Sequence, residues 1–170
     1  MEICRRQDEL EISELDPFLA ELLRQIPSST NPEGQPAAEE RLFSPPAAAS
    51  EKEICGEWKL YVRPELRRLF QSSTETVAMD LQQLEGNEKP FANRILHIPA
   101  GHADAWLNAL NQARLVIAAK NNFTDGELSD HYRSPIGSRR DLSLFQVNFY
   151  GFLQEFILRE LSGWPENLCD

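Results

Sequence analysis

Thiols and imidazoles are the side chains of this 170-residue sequence with the chemistry for metal binding or redox work, and there are few: Cys4, Cys55 and Cys169, and His97, His102 and His131. The cysteines stand 51 and 114 residues apart, so no CxxC metal or redox motif exists. Cys169, one residue from the end of the sequence, is the redox candidate. A terminal thiol has the exposure and reach for exchange, and it is expected to pair between chains. There is no HExxH, and His97 and His102, five apart across Pro99, make a poor metal pair. The expectation is no metal and no cofactor. Phosphate-cradling glycine loops and the GxSxG nucleophile turn are also absent from the sequence.

Two sets of polar residues stand out against this background. Arg114 falls at the border of an apolar helical stripe, where a structural role is expected: its stem packs and its guanidinium reaches a carboxylate or carbonyls. A direct ligand role is the alternative, with Asn111 close by. The second set is His131, Arg133, Arg139 and Arg140, around the Ser134–Ser138 loop. Arginines just before a helix oppose its dipole and gain little for the fold, so contact with an acidic partner competes with a solvated loop.

The elements that must hold these residues are mainly helical. Trp106, Leu110, Ala113 and Ile117 recur at helical spacing over about 103–121 and predict one long helix. Thr124 and Glu127 predict a capping box for a short helix. From Asp141 a final helix carries a seam of Leu142, Phe145, Phe149, Phe152 and Phe156. Residues 51–61 and 64–71 read as short helices divided at Pro64, and Ser72 with Glu75 as the cap of another whose inner face is Val77, Leu81 and Leu84. Residues 94–98 read as a strand. It is expected to pair with short N-terminal strands around Ile3, Leu10 and Ile12, because a lone strand leaves its backbone groups unmet. Asp16-Pro17 predicts a helix start, with Phe18, Leu19, Leu22, Leu23 and Ile26 as its stripe and Pro27 as its stop. The fold class is mainly α, a helical domain with a small β-sheet of two or three strands.

Charge is uneven along the chain. The net charge is -10, of which -7 falls in residues 1–51. Binding of nucleic acid or an anionic membrane by bulk attraction is disfavoured. No stretch is long and apolar enough for a membrane span, and Met1 to Arg6 lack a signal-peptide core, so a cytoplasmic protein is expected. The organisation reads as an N-terminal piece 1–27 packed on the body, a flexible Pro/Ala/Ser-rich linker 28–50, and a helical body 51–170. The linker's composition offers few large apolar groups to offset ordering entropy. The Arg41-Leu42-Phe43 triplet inside it is either a docking motif or a contact with its own domain.

The run from Trp106 to Leu115, WLNALNQARL, resembles the W-L-x-x-L-N-x-x-R-L signature of the AosR-like family, a mostly actinobacterial former domain-of-unknown-function family often encoded beside ClpS. Tyr150-Gly151-Phe152-Leu153-Gln154 is similar to its Y-x-x-L-Q segment, and the likeness spans about 1–27 and 57–162. Asn111 and Arg114 are then the family-pattern polar residues. The resemblance implies a redox-responsive transcriptional regulator working with a sigma factor through a close cysteine pair, which this sequence lacks. The expectation is a non-catalytic cytoplasmic regulator or adaptor working through protein contacts, with transcription or Clp machinery as partner and the Phe-rich last helix as an oligomer contact. The alternative is an enzyme with a site built from Asn111, Arg114 and a histidine.

Overall fold

A computed structural model describes residues 1–48, 50–84, 95–129 and 136–161. At the N-terminus β1 (Glu2–Arg6) and β2 (Glu9–Ser13) form a hairpin that turns at Gln7, whose φ is 52°. Antiparallel β3 (Leu96–Pro99) joins the other side of β2, which places Leu10 opposite Ile98 and Ile12 opposite Leu96. The period-2 alternation sends these four side chains to one face, where all are buried. On β3, Gln83 acts as a strand surrogate: its amide donates to the His97 carbonyl at 2.9 Å and accepts from the His97 N–H at 3.0 Å. This satisfies one backbone pair on an edge that would otherwise seek another strand.

The helix α1 (Pro17–Arg24) starts as its sequence predicts: one Asp16 carboxylate oxygen accepts from the N–H groups of Phe18 and Leu19, both at 2.9 Å. Pro27 does not stop the chain's helical course but sits in the first turn of α2 (Ile26–Ser29), where a proline forfeits no helical bond. Leu22, Leu23 and Ile26 enter the main core beside Trp106, Leu110 and Tyr150, which binds the N-terminal piece to the body.

Inside the stretch expected as a flexible linker lies α3 (Pro36–Phe43), with Ala38 and Phe43 buried. Composition undervalued it because Phe43, its one aromatic, finds partners on a neighbouring helix. Phe43 meets Phe70 with centroids 5.7 Å apart, and the Arg67 guanidinium lies 4.4 Å from its ring. The Arg41-Leu42-Phe43 triplet thus contacts its own domain.

The next three segments run on as one continuous limb: α4 (Lys52–Glu57), a π-helical stretch at Trp58–Val62 and α5 (Arg63–Leu81). The break expected at Pro64 and the cap expected at Ser72 are both absent. Pro64 falls in the first turn of α5, directly after the π-helical stretch, and Ser72 is mid-helix, its carbonyl accepting from Thr76 Oγ1 at 3.0 Å.

The central helix α6 (Ala103–Asn121) has the expected bounds, and Asn122 closes it in the left-handed conformation at φ 50°. The Thr124–Glu127 capping box opens α7 (Asp125–Ser129): Thr124 N donates to Glu127 Oε2 at 2.9 Å, and Glu127 N to Thr124 Oγ1 at 3.3 Å. The last helix, α8 (Arg139–Leu161), begins two residues before the expected start. Ser138 and Asp141 cap it reciprocally, since Asp141 N donates to Ser138 Oγ and Gly137 N to Asp141 Oδ2. Its core face is Val147, Tyr150, Leu153 and Ile157 rather than the phenylalanine seam, of which Phe149 alone is buried and Phe152 is 50% exposed. No described helix is long and apolar enough to cross a membrane.

Candidate functional site

The two signature segments of the sequence meet across the α6–α8 seam. Arg114 Nη1 donates to Gln154 Oε1 at 2.6 Å, and Gln154 Nε2 donates to the Leu107 carbonyl at 3.1 Å. The guanidinium lies along Gly151: a Cβ placed there would come within 3.2 Å of Arg114 Cζ. Glycine in mid-helix costs about 1 kcal/mol relative to alanine, and here its absent side chain makes room for the arginine. Burial lowers the Arg114 pKa, and Nε is buried without a hydrogen-bond partner. Beside this relay Tyr150 donates from its hydroxyl to the Leu22 carbonyl at 2.7 Å and accepts from Gln146 Nε2 at 2.7 Å. Burial pushes its pKa up to about 12. One turn of α8 thus ties α6 and α1 together, and the polar groups of the seam serve that packing.

A second polar cluster escaped sequence reasoning. Asp80, buried on the inner face of α5, accepts from Trp106 Nε1 at 2.8 Å and lies 3.0 Å from His102 Nδ1 through each carboxylate oxygen. The signal was present: Asp80 falls among Val77, Leu81 and Leu84, an acid on an otherwise apolar face. A carboxylate so placed fixes the His102 ring and holds the start of α6 against α5. Similarly, His97 Nδ1 lies 2.9 Å from Glu9 Oε1 across the β2–β3 pair. Each of these histidines has a carboxylate of its own. No contact joins either to Arg114 among the described residues, and Asn111 is exposed. Asn111, Arg114 and a histidine are thus not brought together there.

The basic loop is divided. Arg140 pairs with Glu127 Oε1 at 2.9 Å and stacks 4.5 Å over the Phe123 ring, so it serves α7 and α8. Arg139 is exposed at the start of α8. The expectations for His131 and Arg133, and for Cys169, fall outside the described residues. Cys4 is buried and disulfide-bonded, although the sequence holds no close cysteine pair, whereas Cys55 is a free thiol. Among the described residues no three His, Cys, Asp or Glu side chains group as a metal site.

The limb differs from all of this. From Lys52 to Ser72 not one residue is buried. Leu60 and Tyr61 are 65% and 67% exposed, and Ile54, Val62 and Leu69 are exposed with them. Val62, at the end of the π-helical stretch, and Leu66 and Leu69 of α5 follow one another at spacings of four and three and line a shallow groove, with Glu65, Arg68 and Ser72 beside them. Away from the groove, α5 is tied to α3, where Glu39 Oε2 accepts from Arg63 at 3.1 Å and Arg67 at 2.6 Å.

A family model described as a domain of unknown function, DUF2017, matches residues 5–161. No curated protein and no solved structure matches the chain.

Proposed function

The chain belongs to the DUF2017 family, and we propose that it is a non-catalytic cytoplasmic regulator or adaptor that acts through protein contacts. The observation that carries this reading is the exposed apolar limb. A patch of large apolar side chains rimmed by polar residues marks an interaction surface, and Leu60, Tyr61, Val62 and Leu69 are all exposed along this limb. The spacing of Val62, Leu66 and Leu69 suits an amphipathic helix laid in a groove. Glu65 and Arg68 put both signs of charge beside it, which fits a partner helix with mixed charges rather than a polyanion. The structural employment of Arg114, Asp80 and His102 also supports contacts over chemistry. Likeness to the AosR-like signature supports transcription or Clp machinery as the partner, and protein contacts there need no basic surface.

Phe152 and Leu158, both exposed on α8, favour self-association through the last helix as a second contact. Photo-crosslinking from position 69 in the native host tests the main reading. The expected product joins this chain to a transcription or Clp component and is lost in Leu60→Glu. Crosslinking that is unchanged in Leu60→Glu would overturn it.

A further inference from the structure

Cys4 has one available partner in this chain. It is disulfide-bonded, Cys55 is a free thiol, and the sequence holds a single further cysteine, Cys169. Cys4 also sits where burial is unexpected. It stands opposite Glu11 in the β1–β2 ladder, and Glu11 stands opposite His97 in β3. All three therefore point away from the face that Leu10, Ile12, Leu96 and Ile98 send into the core. On that outward face Cys4 is nevertheless only 7% exposed, and it is no member of the main core cluster. The end of α8 is close by. Arg5 Nη1 donates to the Glu160 carbonyl at 3.0 Å, which fixes the last turn of that helix beside β1.

We propose that residues 162–170 dock on the outward face of the sheet and are fixed there by a disulfide between Cys4 and Cys169. Eight peptide steps lead from Leu161, the end of α8, to Cys169, and when extended they span up to about 28 Å. A disulfide needs the two Cα atoms within about 7 Å. Arg5 brings the helix end to the residue next to Cys4, so the segment reaches with length to spare. The slack lies over the sheet, with Trp164 and Leu168 as its apolar contacts. Charge does not hold it there. Glu2, Glu9 and Glu11 share the outward face with Arg6 and His97, and the segment itself brings Glu166 and Asp170. Acids outnumber bases on both sides, which leaves the covalent link as the principal tie. Opening it with a dithiol is a two-electron exchange: Cys4 and Cys169 each gain a hydrogen, and the dithiol leaves as its own disulfide. The face is then bare. The two cysteines stand 165 residues apart, so this is not the close pair of the AosR-like pattern.

Peptide mapping without reductant tests the link, on the full chain oxidised with diamide, which takes up the two thiol hydrogens, and then alkylated at its remaining thiols. Trypsin should yield Met1–Arg5 joined to Glu160–Asp170, from protein that migrates as a monomer. Docking is read from what the link protects. In Cys169→Ser, and in the parent opened with dithiothreitol, Cys4 should react with iodoacetamide about as readily as Cys55. A glutamate-specific protease should cut after Glu166 roughly tenfold faster in those two forms than in the oxidised parent, because cleavage tracks the population of the open segment. The opened parent decides the matter if the variant does not fold. Absence of the joined peptide, Cys4 joined to Cys55, or a linkage found only in dimers would overturn the proposal. So would a Cys4 that stays unreactive once the link is gone, or cleavage after Glu166 at one rate in all forms.

Discussion

The α6–α8 seam and the α4–α5 limb put helices to opposite uses. In the seam, apolar side chains are enclosed, and polar ones such as Arg114, Gln154 and Tyr150 reach partners across it. Along the limb no residue from Lys52 to Ser72 is buried, yet leucine, tyrosine and valine stand in solvent. The recognisable sequence signature falls in the seam, where it secures packing. The surface best suited to a partner falls in the limb, which carries no such signature. A motif can therefore mark how a family folds without marking where it acts.

Breaking the packing side of that contrast should give the largest effects. Asp80→Ala strands the buried Trp106 N–H and frees His102, and should cost about 3 kcal/mol in chemical denaturation. A loss under about 0.5 kcal/mol would show that the cluster is not a structural anchor.

Tyr150→Phe should cost about 1–2 kcal/mol at neutral pH, because the Leu22 carbonyl loses its donor and Gln146 its acceptor. It should also flatten the alkaline limb of stability. The folded Tyr150 pKa is raised to about 12 by burial, so its contribution is full below the unfolded value near 10 and is lost as pH rises toward 12. A parent protein whose melting temperature fell no more steeply than the variant's over that interval would contradict this.

Gly151→Ala sharpens the seam further through its background. Alone it gains helix propensity but crowds the Arg114 guanidinium, whereas in Arg114→Leu the crowding is gone and about 1 kcal/mol of stabilisation should emerge. Additive effects in the double-mutant cycle would show that the two residues do not share space.

Thiol chemistry separates the regions as well. Native protein should be alkylated at Cys55 in the limb and not at Cys4, which is buried and bonded. Oxidised protein should run as a compact monomer that loses its mobility shift in Cys4→Ser but keeps it in Cys55→Ser. A reducible dimer that vanishes in Cys169→Ser would instead restore pairing between chains.

The smallest effect on stability belongs to the limb. Leu60→Glu should change it by less than about 0.5 kcal/mol, since the side chain is exposed, while removing the partner photo-crosslinked from position 69. A large loss of stability would mean that the limb is packed and not a docking face.

Local chemistry was legible in the sequence wherever a bond stays within a few residues. The Asp16 cap, the Thr124–Glu127 box and the bounds of α6 all follow from short-range spacing, as does the inward face of the strands. Tertiary structure decided the rest, because those choices depend on what stands opposite. Phe43 made a helix of a stretch that composition reads as linker, since α5 supplies Phe70 and Arg67 to hold it. Tyr150 turned inward beside Phe149, because α1 presents a carbonyl at the depth its hydroxyl reaches. Asp80 became special only when Trp106 and His102, more than twenty residues away, arrived on either side of it. Gln112 is an ordinary helix residue until α3 packs on α6 and it is buried, with its Nε2 left without a partner. Sequence spacing reports which groups share a helix face, but burial and pairing are properties of two elements at once, and the second is chosen by the fold.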